Sequence, residues 1–176
     1  MSELSARIAE LILRLQKGDS YALDEILRLI GGRMMSLALG VTKNRADAED
    51  VVQTAFIKLV QNAGQFRGGN GYGFIMKITQ NAALDFLRGK GRRAEICIDD
   101  CFSLTSFGGY DEERMTSSLT LEQAIAKLPV YGKKLIYYRY YMDMTIREIA
   151  KTTGKSKSQI QRDLEETEKL LKEYLV

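Results

Sequence analysis

The sequence has no histidine and no tryptophan, a single proline and only two cysteines. Without histidine, the commonest general base, nucleophile activator and zinc ligand is gone. Two thiolates with no imidazole to complete them do not make a tetrahedral metal site. One possible cysteine pair is equally no disulfide framework for a chain of this size. No catalytic residue, metal site or cofactor is therefore assigned, and the chain does not read as an enzyme. The scarcity of proline excludes collagen-like and proline-rich disordered classes. No apolar run reaches the roughly 18 residues of a membrane-spanning helix, so no stable membrane insertion is expected. Glu3, Arg7, Glu10 and Arg14 interrupt Leu4, Ile8, Leu11 and Leu15. That is not the pattern of a signal peptide, and a cytoplasmic location is expected.

What is present is an ordinary globular composition, 45% hydrophobic and 28% charged over 176 residues. That length makes one domain or two small ones. The net charge of +3 is unevenly spread: residues 1–94 carry +5, residues 95–118 carry −5 and residues 119–176 carry +3. The acidic stretch holds Asp99, Asp100, Gly108, Gly109, Asp111, Glu112 and Glu113 and shows no sustained helical period. It reads as a linker. The expected organisation is a first domain over 1–94, an acidic linker over 95–118 and a second domain over 119–176.

Both domains read as helical, and no period-two run suggests a sheet, so the expected fold is all-α. Leu4, Ile8, Leu11, Ile12 and Leu15 share one face, and Gly18 ends that segment. Asp19 or Ser20 can cap a second helix in which Leu23, Ile26, Leu27 and Ile30 recur, with Met34, Leu37, Ala38 and Val41 continuing beyond Gly31 and Gly32. Val51, Val52, Ala55, Phe56, Leu59 and Val60 form a third apolar stripe. The run Gly68-Gly69-Asn70-Gly71-Tyr72-Gly73 then predicts a break, since glycine is costly inside a helix. Phe74, Ile75, Ile78, Ala82 and Phe86 line the helix after it. In the second domain, the tetrads beginning at Thr120, Thr145 and Ser156 fit capping boxes, and Pro129 stops the first helix. Helices are expected over about 132–142 and 145–153. Gly154 then allows a tight turn into a last helix, with Ile146, Ile149 and Ala150 packed on Ile160 and Leu164.

That short helix, glycine turn and longer helix form a helix-turn-helix pattern. The last helix opens with Lys155, Lys157, Ser158, Gln159, Gln161 and Arg162. Ser, Gln and Arg suit base edges, and the lysines sit where phosphates would lie. Asp163, Glu165, Glu166 and Glu168 follow at once and would repel a duplex if they faced it. In the first domain, Phe66 and Tyr72 flank the glycine-rich loop, and Arg88, Lys90, Arg92 and Arg93 follow the next helix. Aromatics beside a basic track suit unstacked bases, although for either ring taken alone the preferred reading is that it closes the helical core. Asp47, Glu49 and Asp50 open the third helix, where carboxylates favour the helix dipole. Asp47, Asp50, Gln53, Thr54 and Lys58 also make a polar stripe fit to dock a basic helix of a partner.

Three segments in this order resemble a known family. Asp47-Ala48-Glu49-Asp50-Val51-Val52-Gln53 is similar to the core-binding motif of bacterial RNA polymerase sigma factors. Ile75 to Ile78 and Asn81-Ala82-Ala83-Leu84-Asp85-Phe86-Leu87-Arg88 resemble their promoter-melting helix. Leu128-Pro129, Arg139-Tyr140-Tyr141 and Met144-Thr145-Ile146-Arg147-Glu148-Ile149-Ala150 resemble the domain that reads the minus-thirty-five element. The two-domain layout resembles the extracytoplasmic-function group, and the match covers nearly the whole chain in two blocks.

The resemblance implies a sigma factor that brings RNA polymerase core to promoter DNA and starts transcription. Asp47, Asp50 and Gln53 would dock on the clamp helices of the largest subunit. Asn81, Asp85 and Arg88, with the loop from Phe66 to Tyr72 and the basic pair Arg92 and Arg93, would open the minus-ten element and hold an extruded base. Lys155 to Arg162 would read the minus-thirty-five element, some tyrosines of the second domain would face the polymerase flap, and the acidic linker would run toward the cleft. An anti-sigma factor is the implied regulator. Two residues depart from the family pattern. Phe74 stands where tryptophan is usual, and Asp163 where arginine is common, which implies weak intrinsic affinity for DNA. A stand-alone DNA-binding regulator and a helical interaction protein that no longer initiates transcription remain open at this point. Cys97 and Cys101 invite a redox switch, but Asp99 and Asp100 give them the wrong electrostatic setting for reactive thiolates.

Overall fold

In a computed structural model of the chain, residues 2–91, 121 and 123–175 are described. Among them there are helices and turns and no strand, as the apolar periodicity predicts. The chain divides into two compact units, Met1–Leu104 and Thr105–Val176. Residues 92–120, which include Arg92, Arg93, both cysteines and the acidic stretch, lie outside the described residues.

The first unit packs four helices: α1 (Glu3–Gln16), α2 (Tyr21–Thr42), α3 (Arg45–Asn62) and α4 (Gly71–Gly89). Their shared core holds Ile8, Leu11 and Ile12 from α1, Ile26, Ile30, Met34 and Leu37 from α2, Val51 and Leu59 from α3, and Ile75 and Met76 from α4. Each such side chain contributes about 1.5–3 kcal/mol relative to exposure. Gly31 and Gly32 do not interrupt α2, because tertiary packing on either side outweighs their low propensity. Ser20 makes no side-chain cap; the Asp19 carboxylate instead accepts from the Tyr21 amide at 3.1 Å. Leu27, expected inside, is half-exposed, as is Leu29.

The glycine-rich segment is more ordered than its composition suggests. Its last three residues, Gly71 to Gly73, already belong to the first turn of α4. A side chain at Gly71 would place its Cβ 2.6 Å from Ala9 Cα and within 3 Å of the Ile8 carbonyl carbon, so α1 and α4 touch backbone to backbone. The buried Ser5 hydroxyl donates to Asn70 Oδ1 at 2.8 Å, and that oxygen also caps α4 by accepting from the Gly73 amide. At the other end of the loop, Gln16 Nε2 donates to the carbonyls of Ala63 and Phe66 at 2.7 and 2.9 Å. Freedom is left to Gly68 and Gly69, with φ of +93° and +96° and open space around both.

The second unit has helical residues 123–127, then α5 (Val130–Ile136), which runs on as a wider π-helical turn (Tyr137–Tyr141), then α6 (Ile146–Thr153) and α7 (Lys157–Leu175). α5 starts two residues earlier than periodicity suggests, because Pro129 needs no N–H and serves as its N-cap. Tyr137 and Tyr141 stack inside at 5.1 Å. Thr145 and Glu148 close the expected capping box, and Gly154 ends α6 in the left-handed region at φ +73°. Leu135, Ile149, Ala150, Ile160 and Leu164 form the core, with Ile146 packed against it.

Replacing Gly71 with alanine is expected to cost about 1–3 kcal/mol, because two backbones must separate. Gly64→Ala, where a Cβ meets nothing within 4 Å, should stay within about 0.5 kcal/mol of wild type. Urea unfolding of both variants checks the contrast.

Candidate nucleic-acid interface

The expected docking stripe lies along α3. Asn44 caps that helix, its side-chain oxygen accepting from the Asp47 amide at 3.0 Å. Asp50, Gln53 and Thr54 face outward. Asp47 is less available: its side chain is 17% exposed and Oδ1 receives Lys90 Nζ at 2.7 Å. That ammonium also lies 4.5 Å from the centre of the Phe86 ring. Farther along the same outer face stand Ile57 (60% exposed) and Val60 (50% exposed). Val60 was expected inside. It follows Leu59 by one residue, a rotation of about 100°, which carries it from the core to solvent.

Phe66 and Tyr72 are also corrected. They are 5% and 3% exposed, so neither ring offers a face to an incoming base. Phe66 packs on Phe74 with ring centres 5.1 Å apart, and Tyr72 lies beneath the Arg33 guanidinium at 5.5 Å. The aromatic that does reach an opening is Phe74. With Ile78, Asn81 and Asp85 it lines a cleft of about 480 Å³, which Lys58 and Lys77 also border. Positions 74, 78, 81 and 85 are one helical face, so the 3.6-residue period of α4 contained this signal. Phe74 and Ile78 share the apolar period of the buried side chains, which hides that signal in the sequence. Asp85 is tied to Lys58 at 2.9 Å and to Arg88 at 3.3 Å. The Lys58 hydrogen bond, foremost, holds its carboxyl below the usual range.

In the second unit, Ser156 caps α7 by accepting from the Gln159 amide at 3.2 Å. Lys157, Ser158, Gln161 and Arg162 are exposed along the first turns, as expected. Asp163 is not part of that surface. Its side chain is 15% exposed and gathers three donors. Gln159 Nε2 donates to Oδ1 at 2.6 Å, while Tyr131 Oη and Lys155 Nζ each reach Oδ2 at 3.0 Å. Glu168 likewise accepts from the Tyr140 hydroxyl at 2.7 Å. Of the four carboxylates expected to repel a duplex, three thus accept hydrogen bonds within the unit, Glu165 taking Gln161 Nε2 at 3.2 Å, while Glu165 and Glu166 both remain exposed. Among the described residues no cluster of three or more potential ligands could hold a metal, and no helix is long and apolar enough to cross a membrane.

The first unit is a four-helix bundle with a cleft beside an acidic stripe, and the second is built as a helix-turn-helix, a motif of DNA-binding proteins. Residues 27–93 match the model of sigma-70 region 2, and residues 118–171 match that of sigma-70 region 4. The chain belongs to the sigma-70 family, in its extracytoplasmic-function group. It is 29% identical to RNA polymerase sigma factor SigV of Bacillus subtilis, over 77% of this chain and 80% of that one. The extracytoplasmic-function factor SigW of the same organism is 26% identical, with 94% and 97% covered. The RNA polymerase sigma-H factor of Pseudomonas aeruginosa is 25% identical, with 94% of each covered. The fold is similar to that of CnrH, solved in complex with the cytosolic domain of CnrY, at TM-score 0.54, 18% identity and 97% of each chain. The function is promoter-specific initiation of transcription by RNA polymerase.

The hydrogen bond from Gln159, and then that from Lys155, keep the Asp163 carboxyl below its ordinary value of 3.8. A carboxyl whose folded pKa is depressed stabilises the fold above the unfolded value and loses that contribution as pH falls through the folded one. Asp163→Asn should therefore melt below wild type at neutral pH, with the gap closing as pH drops below about 4. Thermal circular dichroism across that range checks it, and a constant gap would refute the assignment.

Proposed function

We propose how the two units divide the work of initiation. Asp50 and Gln53, with Asp47 beside them and the exposed Ile57 and Val60 beyond, form the surface that docks on the clamp helices of the polymerase's largest subunit. An acidic and then apolar stripe suits a basic amphipathic partner helix. The cleft on α4 receives a base extruded from the minus-ten element. Phe74 and Ile78 give it an apolar wall, Asn81 and Asp85 give it hydrogen-bonding groups, and Lys58, Lys77 and Arg88 give positive charge for the backbone. Extrusion costs a few kcal/mol, which contacts of this kind must offset. The loop tip at Gly68 and Gly69 can bend over the base, and Arg92 and Arg93 extend the basic track beyond the described residues. Phe66 and Tyr72 support this region from within.

In the second unit, Lys157, Ser158, Gln161 and Arg162 meet the minus-thirty-five element at the start of α7. Lys155 and Gln159 stand beside them with their head groups held by Asp163. The boundaries proposed are 1–94 for the first domain, 95–118 for the linker and 119–176 for the second. Exposed Tyr140 is the tyrosine best placed to meet the polymerase flap. The protein works in the cytoplasm, where the polymerase is, as a binding subunit and not a catalyst. An anti-sigma factor that covers the polymerase-facing surfaces is its regulator.

The observation that carries this reading is the single face of α4 that brings Phe74, Ile78, Asn81 and Asp85 to one cleft. Run-off transcription with purified core polymerase on a selected promoter pool tests it as a whole, and absence of any defined start with competent core would sink it. Asp50→Lys should lower core affinity about tenfold or more, with helix content unchanged. For the cleft, Asn81→Ala should leave closed complexes intact and reduce permanganate reactivity of minus-ten thymines several-fold. Undiminished reactivity would remove the cleft from the melting step.

A further inference from the structure

The charge that precedes α7 is not free. Lys155 Nζ is 3.0 Å from Asp163 Oδ2 and 3.9 Å from the centre of the Tyr131 ring. Tyr131 itself donates to that same oxygen at 3.0 Å. The Lys155 ammonium is thus held between a carboxylate and an aromatic face, two partners that both favour a cation, with 41% of its side chain exposed. The other carboxylate oxygen takes Gln159 Nε2 at 2.6 Å. Because an ionised carboxylate only accepts, it fixes which end of the Gln159 amide faces it. The Gln159 oxygen is left pointing away, and it accepts from Arg162 at 3.1 Å. The backbone of Asp163 is held as well, since the Thr167 hydroxyl donates to its carbonyl at 2.7 Å.

We infer that Asp163 is a positioning residue for promoter reading, holding Lys155 off the phosphate backbone and, through Gln159, setting the Arg162 guanidinium. This rests on the reading that the start of α7 meets DNA. Moving Lys155 to a phosphate would leave the Asp163 carboxylate, 15% exposed, with only the neutral donors Gln159 and Tyr131 beside an approaching polyanion. Lys155 therefore stays where it is. It contributes nothing to the sequence-independent attraction that counterion release supplies. Arg162 keeps a defined aim toward base edges, where a good forked contact discriminates by about 1–3 kcal/mol. An acidic residue at this position thus raises selectivity by withholding one phosphate contact.

Binding of the full-length chain to a mixed-sequence duplex, measured by anisotropy over a range of salt, gives the number of phosphates neutralised. Each adds about 0.9 to the slope of log affinity against log salt. Lys155→Ala alone is expected to leave that slope unchanged. Asp163→Asn, which keeps the shape and loses the charge, should steepen it by about 0.9, and adding Lys155→Ala to it should restore the original value. In holoenzyme, Asp163→Asn should also lower the ratio of selected-promoter to mixed-sequence affinity several-fold. A flatter slope for Lys155→Ala in the wild-type background would overturn the inference, because Lys155 would then be an ordinary phosphate contact. An unchanged slope for Asp163→Asn, with circular dichroism showing it folded, would overturn it too. If Lys157→Ala and Arg162→Ala both left affinity and slope untouched, the fault would lie in the placement of α7 on DNA, and the inference would fall with it.

Discussion

Residue 71 takes a side chain only if two helix backbones move apart, and the placement of α4 on α1 depends on its absence. The backbones of α1 and α4 meet there at a separation that excludes even a methyl group. The Ser5 hydroxyl fastens the same junction from α1 by donating to Asn70 Oδ1, the oxygen that also caps α4. With its first turn held, α4 has one direction and one rotation, and its outer face is settled. Phe74, Ile78, Asn81 and Asp85 then stand in line along one cleft. Gln16 performs the corresponding task at the far end of the loop. Between these two anchors only the tip at Gly68 and Gly69 is unconstrained, so any movement over the cleft is confined to a short, hinge-like stretch.

Carboxylates are the second organising feature, and their roles differ with depth. Asp50 is exposed and available. Asp47, three residues earlier, is committed to Lys90 at the end of α4. Asp85 bridges α3 and α4 through Lys58 while remaining at the cleft. Asp163 is turned inward and shared among three donors. The lysine partners of Asp47, Asp85 and Asp163 are partly exposed, and pairs screened by solvent in this way contribute only about 1 kcal/mol or less each to stability, so their value lies in geometry. They decide which cations are held within the fold.

The helices, their order and the helix-turn-helix core were legible in the sequence, because apolar period and capping residues act locally. Thr145 with Glu148, Gly154, and the packing of Ile149 on Ile160 follow from spacing alone. What spacing could not supply was the depth of individual rings and charges. Phe66 and Tyr72 flank a polar loop and look available, yet both turn inward; Phe74 looks like core and borders the cleft. Val60 extends an apolar stripe on paper, but one residue past Leu59 the helix has rotated away from its neighbours. Asp163 begins an acidic run in sequence, yet its rotamer depends on Tyr131, which lies 32 positions earlier and meets it only in three dimensions. Ser5 and Gln16 carried no signal at all, since an isolated hydroxyl or amide on an amphipathic helix is ordinary.

A protein that must find few sites among many gains little from general affinity for DNA, because every added phosphate contact strengthens wrong sites as much as right ones. The modest charge of the second unit is then consistent with its task. Over residues 119–176 eight carboxylates offset eleven cations, and one of those cations, Lys155, is tied to Asp163 within the fold. Sequence-independent attachment can come instead from the polymerase, bound through a surface on the first unit that carries the opposite charge. In the proposed division of work, an acidic stripe on one unit and a restrained basic turn on the other separate recruitment from reading. Selectivity then depends on the aim of Arg162 and its neighbours at base edges, and on the price of extruding a base into the α4 cleft. Both contributions vanish at a mismatched site, whereas a freed lysine would have stayed bound to it.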